Sequence, residues 1–140
     1  MADSGIVGSW RVAVTIPGVP QTMTNLATIN ADGTMVVAFS TPVPAAPGQD
    51  HKLEFYSAAL GSWAARDDGS VVMTFVSLGA DESGKPVGSH TVSARVTLSQ
   101  DQQSWSGPFR IEMASATGAA LGAVDGTTNA SRIVVAAPAS

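Results

Sequence analysis

Residues 22–40 read TMTNLATINADGTMVVAFS. Apolar and polar side chains alternate over 22–30, Asp32-Gly33 interrupts them, and alternation resumes over 34–40. A period of two marks a strand buried on one face, and Asp-Gly between two such runs marks a hairpin turn. The same arrangement recurs downstream, with a strand over 55–66, Asp68-Gly69, and a strand over 70–78. Working outward, the pattern predicts further strands over 6–16, 87–98, 104–113 and 121–135. Between them lie Pro17-Gly18, a proline-rich stretch at 41–48, a polar loop at 79–86, a turn at 99–103 and a small-residue loop at 114–120. No stretch of a dozen residues keeps a clean helical period, so helix is at most a minor element.

Eight short-linked strands pair as antiparallel neighbours. The expected fold is all-β, an eight-stranded antiparallel up-and-down β-barrel, with a two-sheet sandwich as the rival. A chain of 140 residues suits one domain, here 1–135 with a tail at 136–140. At 44% hydrophobic residues it has the material for a core and falls outside the disordered class. It has no cysteine, which removes disulfides, thiolate metal sites and a cysteine nucleophile. Seven Lys and Arg stand against eleven Asp and Glu, the wrong balance for binding nucleic acid. No apolar run nears the ~18 residues of a membrane span. Met1–Gly5 has no basic or apolar leader region. The expected location is cytoplasmic, or secreted if a leader has been removed.

Gly8-Ser9-Trp10 on the first strand resembles the calycin superfamily, the lipocalins and their relatives. In that family the tryptophan plugs the closed end of the barrel and a late basic residue packs across it. The resemblance gives those roles to Trp10 and Arg132. This chain is shorter than classical lipocalins and lacks their disulfides and the helix after the barrel. It looks more like a compact bacterial lipocalin-like barrel. The resemblance implies binding of a small, mostly apolar molecule.

Alternation then sorts the side chains. With Trp10 inward, so are Val12, Val14 and Ile16 on strand one, and Met23, Asn25, Ala27 and Ile29 on strand two. Met35, Val37, Phe39, Val71, Met73, Phe75, Val92, Phe109, Ile111 and Met113 follow on later strands. Trp63 is expected to face in at mid-barrel. The two Asp-Gly turns fall at one end, and the proline-rich stretch and the 79–86 loop at the other. That is the layout of a closed base and a lidded mouth. Phe39, Trp63, Phe75, Met23, Met73 and Met113 would give apolar contact to a ligand, with Asn25 and His90 orienting it. His90 continues the inward parity near the mouth, where an imidazole can bond a ligand or move a proton; its other reading is a rim residue in water. The facing of Glu54 and Tyr56 stays open. An unbroken strand back from Trp63 turns Tyr56 out, and a bulge near Ala58-Ala59 turns it in, to the ligand.

His51 and His90 are the only histidines and have no ligand-pair spacing, so no metal is expected. No phosphate-binding glycine pattern is present, and no cofactor is expected. An outward face at Val36, Val72, Val76 and Leu78 is read either as a homodimer face or as scattered aliphatics. The function expected is binding of a small hydrophobic molecule in the barrel. One alternative is a cofactor-independent enzyme, of cyclase or isomerase type, acting on a polyketide-like intermediate with His90 as its acid or base. Another is a filled barrel that serves as a structural or interaction module.

Overall fold

A computed structural model describes residues 5–46 and 48–138. Its strands are β1 Gly8–Thr15, β2 Met23–Ile29, β3 Thr34–Ala38, β4 Val43–Pro44 and β5 Leu53–Tyr56. They continue with β6 Ala59–Ala65, β7 Ser70–Asp81, β8 Pro86–Leu98, β9 Ser104–Ala114 and β10 Ala120–Arg132. The order β7-β6-β3-β2-β1-β10-β9-β8 returns to β7, so eight antiparallel strands close a barrel. β5 carries the line of β6 onward along β7, and β4 pairs with β5 outside the ring. Closure pairs every strand of the ring on both sides and leaves it no free edge.

The expected inner face is the core. Trp10, Val12, Ala27, Ile29, Met35, Val37, Val71, Met73, Val92, Val96 and Phe109 are all buried, while Arg11, Arg95, Arg110 and Glu112 are exposed. Ile6 and Trp105 complete the packing near the start of β1. Burial loosens away from that end along β1, β2, β3 and β9. On β1 it runs from Trp10 at 0% exposed through Val14 at 8% to a half-buried Ile16. Phe39 beyond β3, Phe75 on β7 and both Ile111 and Met113 on β9 are likewise half-buried.

At the tight end, the Arg132 guanidinium lies 4.2 Å from the centre of the Trp10 ring. Trp10 donates its indole N–H to the Ile6 carbonyl at 2.9 Å and meets Trp105 edge to face at 5.8 Å. These contacts seal the base with aromatic area and a cation–π pair.

The two Asp-Gly hairpins close where the alternation breaks. Asp32-Gly33 and Asp68-Gly69 sit in three-residue loops, 31–33 and 67–69. In the first, Asn30 N bonds Thr34 O and Gly33 N bonds Asn30 O. Gly33 and Gly69 take the left-handed conformation at φ 91° and 86°, the glycine position of such a loop. The residues read as a long polar loop at 79–86 also close this way. β7 runs on to Asp81 and β8 starts at Pro86, with Asp81 N bonded to Lys85 O. Gly79 faces Gly88 within the β7–β8 ladder, so Gly79, read as the start of the loop, belongs to a strand. Among the described residues, the longer connections at the mouth are the proline-rich stretch and residues 16–22 between β1 and β2.

Candidate functional site

The mouth is shaped by one extra residue. Leu60 pairs with Val76 and Tyr56 pairs with Gly79, so four steps along β5–β6 match three along β7. The surplus is taken up at Ser57-Ala58, where Ser57 N donates to Leu78 O and Leu78 N donates to Ser57 Oγ. A one-residue surplus swaps the faces of every side chain beyond it. Glu54 and Tyr56 therefore turn inward and Phe55 turns out, 41% exposed. Gly79 makes room for the phenol: a Cβ there would lie 2.7 Å from the Tyr56 ring.

His90 sits beside it on β8, paired with Ser77 on β7 and Met113 on β9. The Tyr56 and His90 rings are tilted against each other with centres 4.5 Å apart, and Tyr56 Oη is 3.1 Å from His90 Nε2. The Tyr56 hydroxyl donates to Glu54 Oε1. His51 Nε2 lies 2.7 Å from Glu54 Oε2, and His51 Nδ1 lies 3.1 Å from Asp50 Oδ1. Asp50, His51, Glu54, Tyr56 and His90 thus form one hydrogen-bonded line from the surface to the inner wall. Its outer end is pinned by Glu82, whose carboxylate accepts the backbone N–H groups of Lys52 and Leu53.

Among the residues singled out in the sequence, the structure brings Tyr56 and His90 together at the mouth. Phe39, Phe75 and Met113 stand half-buried on the same inner wall, as does Asn25 on β2, and Met23 is 37% exposed at the rim. Trp63 is not at mid-barrel. It faces Met73 across β6–β7, and its indole N–H donates to Asn30 O in the base hairpin at 2.8 Å. Met73 is packed in the core at 3% exposed. His51 and Glu54 were not recognised as partners. The sequence does hold a trace of them: Glu54 and Tyr56 alternate on one strand face, with His51 three residues upstream.

No family model, curated protein or solved structure matches this chain.

The protonation of the line follows from its surroundings. Burial pushes His90 below the ordinary histidine value, only partly offset by the Glu54 charge. Burial raises the Tyr56 phenol, and its bond to the Glu54 carboxylate raises it further. Burial works to raise Glu54, but the hydrogen bonds from Tyr56 and His51 prevail and hold it below the usual range. The Glu54 and Asp50 carboxylates raise His51. At neutral pH Glu54 is ionised, Tyr56 is protonated and His90 is neutral. Among the described residues no group of three His, Cys, Asp or Glu could hold a metal ion. Two shallow grooves lie on the outer wall, one beside Thr15 and Thr128 and one beside Leu26 and Val36, and neither is lined by an ionisable side chain.

Proposed function

We propose that this barrel, calycin-like in its base, binds a small and mostly apolar molecule at its mouth, with Tyr56 and His90 as the polar end of the site. The observation that carries the reading is the phenol–imidazole pair on the inner wall, backed by an ionised carboxylate and bordered by Phe39, Phe75 and Met113. Binding sites of this kind join a largely apolar lining to a few placed polar groups. A titration with N-phenyl-1-naphthylamine tests it. One saturable site is expected, weakened several-fold by His90→Leu and untouched by Leu60→Lys on the outer wall. Loss of binding in Leu60→Lys alone would move the site outside the barrel and overturn the reading.

The same hydrogen-bonded line favours a second reading, cofactor-independent proton transfer in a cyclisation or isomerisation. A half-buried neutral imidazole takes a proton from a ligand, and the held geometry supplies the rest. Any ligand retained from the native host, identified by native mass spectrometry, would then be converted by the wild type and only bound by His90→Gln. Unchanged ligand in the wild type leaves a carrier.

The homodimer reading rests on the outer wall, where Val36, Leu60 and Val76 are cross-strand neighbours and Leu78 is 64% exposed. A second copy would present the same uncharged row. Sedimentation is expected to show a dimer that Leu60→Lys dissociates; a wild-type monomer at high micromolar concentration overturns it.

A further inference from the structure

We propose that Glu54, acting through Tyr56, holds His90 as its Nε2–H tautomer, so that Nδ1 stands as a bare acceptor and the mouth selects apolar ligands bearing a hydroxyl or N–H donor. The inference rests on reading the mouth as a ligand site, and it names the chemical class that site takes.

The argument is a count of protons along one line. An ionised carboxylate only accepts hydrogen bonds. Both Glu54 oxygens are engaged, Oε2 with His51 Nε2 at 2.7 Å and Oε1 with the Tyr56 hydroxyl. Tyr56 has a single proton, and it goes to Glu54. Its oxygen can therefore only accept from His90 Nε2, 3.1 Å away. A neutral imidazole carries one N–H, so Nε2 bears it and Nδ1 keeps a lone pair. Among the described residues Nδ1 has no hydrogen-bond partner, since the one bond His90 makes through its ring is the Nε2 bond. Burial resists the second proton that would convert Nδ1 to a donor. Glu54 never touches the ligand in this arrangement; it is a positioning residue whose charge fixes which imidazole nitrogen is available.

A ligand that covers Nδ1 without offering a proton strips an acceptor of water and gives nothing back. A hydroxyl or N–H in that place makes the bond. The expected discrimination between a hydroxylated ligand and its methyl ether is about tenfold or more.

The test has two arms. Long-range proton–nitrogen correlation on the free wild-type protein reads the tautomer with no ligand present. Nε2 protonated and Nδ1 unprotonated is expected; a protonated Nδ1, or equal averaging of the two, overturns the proposal. In Tyr56→Phe, with circular dichroism matching the wild type, the averaging should appear. The second arm compares 2-naphthol with 2-methoxynaphthalene by calorimetry. Naphthol should bind at least about tenfold tighter to the wild type, and the ratio should fall towards one in Tyr56→Phe. Equal wild-type affinities overturn the selection while leaving the mouth as a binding site. Failure of both compounds to bind a protein with the expected tautomer overturns the site, and the selection with it.

Discussion

Arg132 donates to three main-chain carbonyls and covers one indole. Its Nη1 reaches Val7 O at 3.0 Å, Nε and Nη2 reach Gln102 O at 3.0 and 2.8 Å, and Nη2 also meets Gly5 O. The planar fork makes this possible, and a lysine cannot reproduce it. Arg132→Met keeps much of the stem and loses the charged bonds, with an expected cost of about 2–3 kcal/mol in urea unfolding. Arg132→Lys should recover only part of that, and full recovery would show that charge alone matters. The placement of Trp10 and Arg132 was legible only through the resemblance carried by Gly8-Ser9-Trp10, and the rest of the inner face followed because parity along unbroken strands carries a long way from one anchor. Tyr56 was legible only as a choice between two faces, because the surplus residue at Ser57-Ala58 that decides it is fixed by pairing with β7 and has no local signature. His51 and Glu54 were hidden for the same reason: their meeting depends on how β5 joins the ladder.

At the level of the strand, three glycines are matched to aromatic rings directly across a ladder. Gly61 faces Phe75, Gly79 faces Tyr56 and Gly126 faces Phe109. A Cβ would lie 2.5 Å from Phe75 Cβ at Gly61, and 2.5 Å from the tip of the Phe109 ring at Gly126. The ring covers the strand where a side chain is missing, and the curved wall gains its packing from the partner. Gly126→Ala is expected to destabilise by about 1–3 kcal/mol through overpacking, read from the shift of the denaturant midpoint. A neutral effect would mean that both the ring and the Thr15 carbonyl, 2.5 Å from such a Cβ, give way at no cost. Strand existence and order were legible from alternation and Asp-Gly. The glycine pairings were not, since the same residue marks turns at Gly33 and Gly69, close approach of the partner strand at Gly61 and close ring contact at Gly126.

For the molecule as a whole, pH acts through its turns and its two imidazoles. Asp32, Asp68, Asp81 and Asp101 sit in hairpins, and each is held below its usual value, first by the hydroxyl of Thr34, Ser70, Ser83 or Ser99. A carboxylate with a lowered folded value lends stability above the ordinary aspartate range and loses it as pH falls through that range and below. His90 is lowered as well, so its neutral burial favours folding above the ordinary histidine value and is lost as pH falls. His51 is raised, so its contribution is present below the ordinary histidine value and fades as pH rises through its higher folded one. On acidification urea midpoints should thus rise slightly as His51 gains its proton, then fall in two stages, a shallow one starting near pH ~6.5 and a steep one at and below the aspartate range. His90→Leu should remove the first stage and leave the second. Persistence of both in that variant would assign the shallow stage elsewhere.

The aromatic side chains divide the barrel into two optical poles. Trp10, Trp63 and Trp105 are the chain's three tryptophans, and all lie towards the base. Tyr56 is its one tyrosine, and it lies at the mouth in contact with His90. Indole emission will therefore follow the melting of the sealed end and stay quiet when the open end fills. Ultraviolet difference absorbance of the phenol, sensitive to its hydrogen bonds, will do the reverse. Unfolding and occupancy can be recorded separately in one cuvette, with no label attached.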